Sequence, residues 1–166
     1  MSVIQKPTRV CGGCTACCTT HAVAELKKGM NETCRFCSEN SCQIYPTRPR
    51  NCQAFHCEWM KGWVEESYRP DRSGVVLDYF LTDHLLAPVL MIWEYREGAT
   101  ADSLVWEVAN QSLESKINVM LWYKSGIICL YLPPDRKLSS QLKRVIHASR
   151  EIQVKKFPAL VGWGLE

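Results

Sequence analysis

The stretch CGGCTACC at residues 11–18 puts Cys11, Cys14, Cys17 and Cys18 within eight positions. Thiols at this density can do four kinds of chemistry: disulfide formation, zinc ligation, iron–sulfur ligation or thiol redox exchange. Five more follow at Cys34, Cys37, Cys42, Cys52 and Cys57, and only Cys129 lies beyond them. The full spacing is C-x2-C-x2-C-C-x15-C-x2-C-x4-C-x9-C-x4-C. A two-residue gap lets one tight turn aim both sulfurs at a single ion while backbone N–H groups face the sulfurs and spread their charge. Gly12 and Gly13 suit that turn, because glycine accepts left-handed geometry and a close backbone approach. The adjacent pair Cys17 and Cys18 says more: neighbouring side chains diverge, so the two reach different ions or one of them bridges. Nine clustered cysteines also exceed the four ligands of one tetrahedral site. We therefore expect two metals or a polynuclear cluster.

The remainder of the chain narrows the choice. The opening MSVIQKPTRV has no signal-like apolar stretch, and the longest apolar run, LLAPVLMIW, has nine residues and contains Pro88. A spanning helix needs about 20. This reads as a cytoplasmic protein without a membrane segment. Thiols are kept reduced in that compartment, which favours metal ligation over disulfides. All-sulfur coordination fits both zinc and iron–sulfur. The run C-x2-C-x2-C is like the start of the bacterial ferredoxin pattern. Here, however, the next cysteine is adjacent and no proline follows it, so that signature is broken. Zinc is the first reading, an iron–sulfur cluster the alternative, and a zinc-dependent thiol switch the third. The net charge is only +3, with ten basic and seven acidic residues in 1–73 and ten of each after that. Without a basic stripe, this is not the charge pattern of a nucleic-acid partner.

The second half of the cysteine cluster reads CRFCSENSCQIYPTRPRNCQAFHC. With CGGCTACC before it, this resembles the CxxCxxCC family, the YkgJ type of zinc- or iron-chelating cysteine-cluster proteins. Cys42, Ile44, Tyr45, Arg48, Pro49 and Cys52 match the family's C-x-I-[YF]-x-x-R-P-x-x-C segment in order, and the resemblance covers residues 11–58. It implies a cysteine-ligated metal, zinc or iron, and no particular activity. Cys37 departs from the pattern and is a ninth ligand or a buried thiol. The ligand set is thus Cys11, Cys14, Cys17, Cys18, Cys34, Cys37, Cys42, Cys52 and Cys57. Arg48, Gly12 and Gly13 support it from behind, with Arg48 donating to sulfur or easing the thiolate field.

These residues need elements to hold them. We expect an α+β protein in which an irregular cysteine-rich metal-binding module, residues 1–66, passes through a joint at 67–74 to a ββαββα domain at 75–166. Within the module, VAELKK (23–28) and FHCEWMKGWVEESY (55–68) each have helical character. After the joint, GVVLDYFL and APVLMIWEY read as strands. Leu104, Val105, Val108, Ala109 and Leu113 have helical spacing, with Thr100 or Asp102 as the cap. INVMLWYKSGIICLYLPP is a hairpin turning at Ser125-Gly126. Leu142, Val145, Ile146 and Ile152 line one face of a last helix. The sum is a mostly antiparallel four-stranded sheet covered by two helices.

Weaker candidates remain. His21 and His56 could ligate zinc, although nine cysteines leave them little need to. His84 and His147 read as partly exposed histidines, and Cys129 as a buried strand residue. Trp59 and Trp63 would share a helical face that packs in a core. Lys143, Arg144, Arg150, Lys155 and Lys156 read as a solvated face of the last helix. No Ser/His/Asp grouping, carboxylate pair or phosphate loop emerges, so nothing points to an enzyme. The α+β region would serve an unidentified protein partner.

Overall fold

In the computed structural model, which describes residues 7–81, 86–149 and 152–156, the first third of the chain holds only short elements. They are α1 (Ala16–Thr20), a hairpin of β1 (Cys37–Ser38) and β2 (Ser41–Cys42), α2 (Arg50–Ala54), α3 (Glu58–Lys61) and α4 (Pro70–Ser73). The helix expected over 23–28 is a single 3-10 turn, Ala24–Leu26, stopped by Lys27 at φ 52°. The one expected over 55–68 is broken into α3 and a 3-10 turn at Glu66–Tyr68. Gly62 ends α3 in the left-handed region at φ 79°, a conformation glycine adopts without steric cost. Trp59 and Trp63 therefore do not share a face: Trp59 is buried and Trp63 is 48% exposed. Residues 67–74 hold the end of a 3-10 turn and α4, with Tyr68, Pro70 and Ser73 buried.

Five longer strands follow the cysteines, and two helices alternate with them. The strands are β3 (Val75–Phe80), β4 (Val89–Glu94), β5 (Asn118–Trp122), β6 (Ile128–Leu132) and β7 (Ile152–Lys156). The helices are α5 (Ser103–Glu114) and α6 (Ser140–Ala148). Asp102 caps α5, its side chain accepting from the Leu104 N–H at 2.9 Å. Ser139 caps α6 in the same way. The expected hairpin of β5 and β6 forms, with Gly126 at φ 89° in its turn. Cys129 sits buried in β6.

The sheet differs from the expected one. It has five strands in the order β3-β4-β5-β6-β7, and it is mixed. The pairs β3/β4 and β5/β6 are antiparallel, whereas β4/β5 and β6/β7 are parallel. A helix inserted between neighbouring strands returns the chain to its starting end, so each helix crossover makes a parallel pair. Ile152, expected on the last helix, opens β7 instead and lies opposite Ile128. Lys143, Arg144 and His147 are exposed on α6, while Lys155 belongs to β7. His84, Arg150 and the side chain of Lys156 lie outside the described residues.

All six residues of β4 are buried, as the apolar run Val89–Trp93 requires of a strand covered on both sides, and Glu94 at its end is buried with them. On one face Val75, Leu77, Leu90, Ile92, Val119 and Leu121 meet Val105, Val108, Ala109 and Leu113 of α5. On the other, Val76, Met91, Trp93, Met120 and Leu130 meet α6 through Leu142 and meet the module through Cys14, Ala16, Cys57, Trp59 and Met60. The cysteine module thus docks on the sheet.

A buried charge cluster fixes that docking. Lys61 Nζ lies 2.6 Å from Glu58 Oε1 and 2.7 Å from Asp78 Oδ1. The Tyr79 N–H donates to Glu58 Oε1 at 2.8 Å. Glu58 is fully buried and Asp78 nearly so. Burial pushes both carboxyls above the usual carboxylate range, against the pull of Lys61. Burial acts to lower Lys61, but its hydrogen bonds to Asp78 and Glu58 outweigh that and hold it raised. Removing the cation leaves two buried carboxyls without a counter-charge. Lys61→Met is expected to cost about 3–5 kcal/mol in urea unfolding. Asp78→Asn is expected to cost less, because one lysine still matches Glu58.

Candidate metal centre

Backbone hydrogen bonds carry the cysteines toward one another. Gly12 adopts φ 58°, and the Cys14 N–H closes the turn onto Cys11 O at 3.2 Å. Gly13 serves by close approach instead: a Cβ there would stand 3.4 Å from Asn40 O. α1 then carries Cys17 and Cys18 on consecutive positions of one short helix. The Cys34 N–H donates to Cys18 O and the Cys37 N–H to Cys34 O, each at 2.9 Å. The small hairpin sets Cys37 opposite Cys42. Pro49 N-caps α2, which presents Cys52, and Cys57 N-caps α3.

The result is a cavity of about 260 Å³ lined by Cys11, Cys14, Cys17, Cys18, Cys34, Cys42 and Cys52. Gly12, His21, Lys28 and Arg48 share its wall. Three residues of the expected set stand off this wall. Cys57 is buried behind it, close enough to Cys11 and Cys14 to affect the ionisation of one and feel that of the other. Cys37 sits within reach of Cys18 and Cys34, its own thiol donating to Ser38 O at 3.3 Å. Gly13 is the third. Among the described residues, no three Cys, His, Asp or Glu side chains already stand in the close geometry of a bound metal. The donors fit a soft metal by chemistry and by the cavity they share. Two buried nitrogens on that wall, His21 Nε2 and Arg48 Nε, have no hydrogen-bond partner among the described residues.

The thiols divide sharply in acidity. Cys14 is lowered to about 7, first by the hydrogen bond from the Cys11 thiol, against burial, with help from the Ala16 and Asp71 N–H groups. Cys11 is driven far up by the same bond, by burial, and by the charges of Cys14, Cys57 and Cys18. Cys18 is also raised strongly, first by its contact with Cys17 and then by burial. Burial leads the upward shifts of Cys37, Cys42, Cys52 and Cys57. At Cys57 the Met60 and Trp59 N–H groups pull the other way without closing a cap hydrogen bond. The charges of Cys18 and Cys34 both act to raise Cys37, Cys42 and Cys52, as expected of thiols crowded around one space.

Arg48 stands on the cavity wall, with its guanidinium 3.9 Å from the centre of the Tyr45 ring. Its charge acts to lower Cys42. Lys28 was not legible from sequence. It is 6% exposed, and its Nζ donates to Thr19 O at 3.2 Å, to Gly29 O at 3.1 Å and to His21 O. Burial lowers its pKa, while the charges of Cys34, Cys18 and Cys17 act to raise it. It is a cation built into a thiol cluster, and nothing in its sequence neighbourhood, Lys27-Lys28-Gly29, marks it. His56, the other histidine candidate, does not line the cavity.

The Cys11–Cys14 asymmetry is measurable in metal-free protein. Ultraviolet thiolate absorbance is expected to show one thiol ionising as pH rises through about 7. In Cys11→Ala that step should move up toward the ordinary thiol range, because the main lowering contact is gone. Compared with known proteins, the chain matches no family model, no curated protein and no solved structure.

Proposed function

We propose that this chain is a metal–thiolate protein that holds a polynuclear centre, two zinc ions in the first instance, within its cysteine module. The observation that carries this reading is the convergence of seven cysteines from four separate segments on one cavity. The residues around them support it. Between residues 24 and 56 only Lys28 and Cys34 are buried. Large apolar side chains contribute about 1.5–3 kcal/mol each when fully buried, and this stretch has none. Trp59 and Met60, buried against the sheet, hold only the far end of the module. A bound metal would supply the missing folding energy. The likeness of residues 11–58 to the CxxCxxCC family points the same way. In this reading the protein works where thiols stay reduced, and the α+β region serves a protein partner. No helix among the described residues is long and apolar enough to cross a membrane.

A second reading, an iron–sulfur protein acting in electron transfer, draws on the size of the cavity. A structural tetrahedral zinc is closed in by its four ligands. A space of about 260 Å³ also admits a cluster with bridging sulfides. Elemental analysis with an anaerobic visible spectrum separates the two. Colourless protein with stoichiometric zinc, made with iron and sulfide supplied, fits the first. Brown protein that bleaches in air fits the second. Protein with neither metal defeats both.

Chelation of the metal, or Cys17→Ser, is expected to raise amide hydrogen exchange across residues 24–56 while β4 and β5 keep their protection. Unchanged exchange in 24–56 would show that the module holds itself without metal.

A further inference from the structure

His21 closes α1 at the wall of the cysteine cavity. Its imidazole is gripped by two aromatic rings, Phe55 at 4.2 Å and Trp93 at 4.4 Å between centroids. Nδ1 lies 2.7 Å from Thr20 Oγ1. That hydroxyl also lies 3.1 Å from Ala16 O, and Thr20 is completely buried. A threonine hydroxyl has one proton. A carbonyl can only accept, so both contacts are hydrogen bonds only when the hydroxyl donates to Ala16 O and accepts from Nδ1–H. The opposite tautomer would set two oxygen lone pairs against each other and bury an unpaired Nε2–H. The proton therefore belongs on Nδ1, and Nε2 carries the lone pair.

Nε2 is buried and has no hydrogen-bond partner among the described residues. A buried polar atom left in this condition is destabilising, because it has given up water and gained no partner. The ring cannot escape the cost by taking up a proton: burial first, and then the charge of Lys28, lower its pKa to about 4. A histidine that ligates a metal characteristically donates its other ring N–H to an oxygen, which fixes tautomer and orientation. Thr20 fills that position here.

We propose that His21 Nε2 is a ligand of the metal centre, making it a mixed imidazole–thiolate site rather than an all-cysteine one. This rests on the metal–thiolate reading of the cavity. One imidazole in place of one thiolate removes a negative charge from a crowded set. In an iron–sulfur centre the same exchange raises the reduction potential. The neutral ligand comes from the element that carries Cys17 and Cys18, with Cys18 three residues away. Its aromatic grip leaves the ring little freedom to turn from the cavity.

The test uses full-length protein loaded anaerobically with zinc or with cobalt(II) alone. X-ray absorption at the zinc edge is expected to show a light-atom ligand at about 2.0–2.1 Å with imidazole outer-shell scattering, beside sulfur at about 2.3 Å. An all-sulfur shell overturns the assignment. Cobalt(II) affinity should fall at least ~10-fold in His21→Gln, the order of loss seen when support of a metal ligand fails. His21→Cys should restore affinity and strengthen the sulfur-to-cobalt charge-transfer band, and Thr20→Val should weaken binding without changing that band. Equal affinity and spectrum in wild type and His21→Gln also overturn it. Wild type that shows no cobalt–thiolate band defeats the metal reading itself, an outcome distinct from both. Zinc-edge data on wild type keep the question decidable should a variant not fold.

Discussion

Negative charge confined to a small space sets the terms for the first third of this protein. Two unit charges 4 Å apart interact by roughly 4 kcal/mol at an effective dielectric constant of 20. The cavity gathers seven thiols, and the cations on its wall are Lys28 and Arg48. Two cations cannot balance seven thiolates, so without metal most of the thiols must stay protonated. The acidities agree. Cys14 is lowered to about 7, and its neighbour Cys11 is raised in exchange. A pair of divalent ions would reverse this by rewarding every deprotonation. The fixed cations then serve a narrower purpose. Lys28 is anchored to three carbonyls and Arg48 is stacked on Tyr45, so both hold positive charge at the site whether or not metal is bound.

The position of the site follows from the sheet. The β4–α5–β5 and β6–α6–β7 crossovers advance in the same direction across the strand order, but their strands point opposite ways. Crossovers of the same right hand then place their helices on opposite faces. α5 covers one face from β3 to β6. α6 covers the other only toward β5, β6 and β7, where Leu142 and Ile146 approach Met120, Leu130 and Ile152. The β3–β4 end of that face is left for the cysteine module, and Ala16, Cys57, Trp59 and Met60 fill it. The buried Glu58–Lys61–Asp78 cluster then fixes orientation, since apolar burial alone is non-directional.

The elements were legible where one rule decided them. Apolar runs bounded by turn residues gave β3, β4, β5 and β6, and a cap with helical spacing gave α5. Pairing was not legible, because periodicity describes a strand's faces and not its neighbour. Ile152 misled for a related reason: its apolar side chain fits both a helix face and a short edge strand. The cysteine convergence was legible from spacing, since two-residue gaps and an adjacent pair leave few geometries. Cys37 and Cys57 stand off the cavity wall, one on the short hairpin and the other at the start of α3, where spacing alone does not tell which way a thiol faces. Lys28 and the bond between Thr20 and His21 had no signal, for each depends on contacts that only the folded loop creates.

The two halves also meet at Trp93. It belongs to the central region of the sheet, is 7% exposed and lies 4.4 Å from the His21 ring. Phe55, from the module, packs on the same imidazole at 4.2 Å and meets Trp93 edge-on at 6.5 Å between centroids. Aromatic pairs in this geometry contribute about 0.5–1.5 kcal/mol beyond their burial. That is small, yet it is directional where apolar burial is not. A cysteine-rich loop with few buried apolar residues cannot set an imidazole to within a fraction of an ångström by its own packing. A strand buried on both faces can, which is the physical reason for an α+β scaffold behind a site made of short elements and loops.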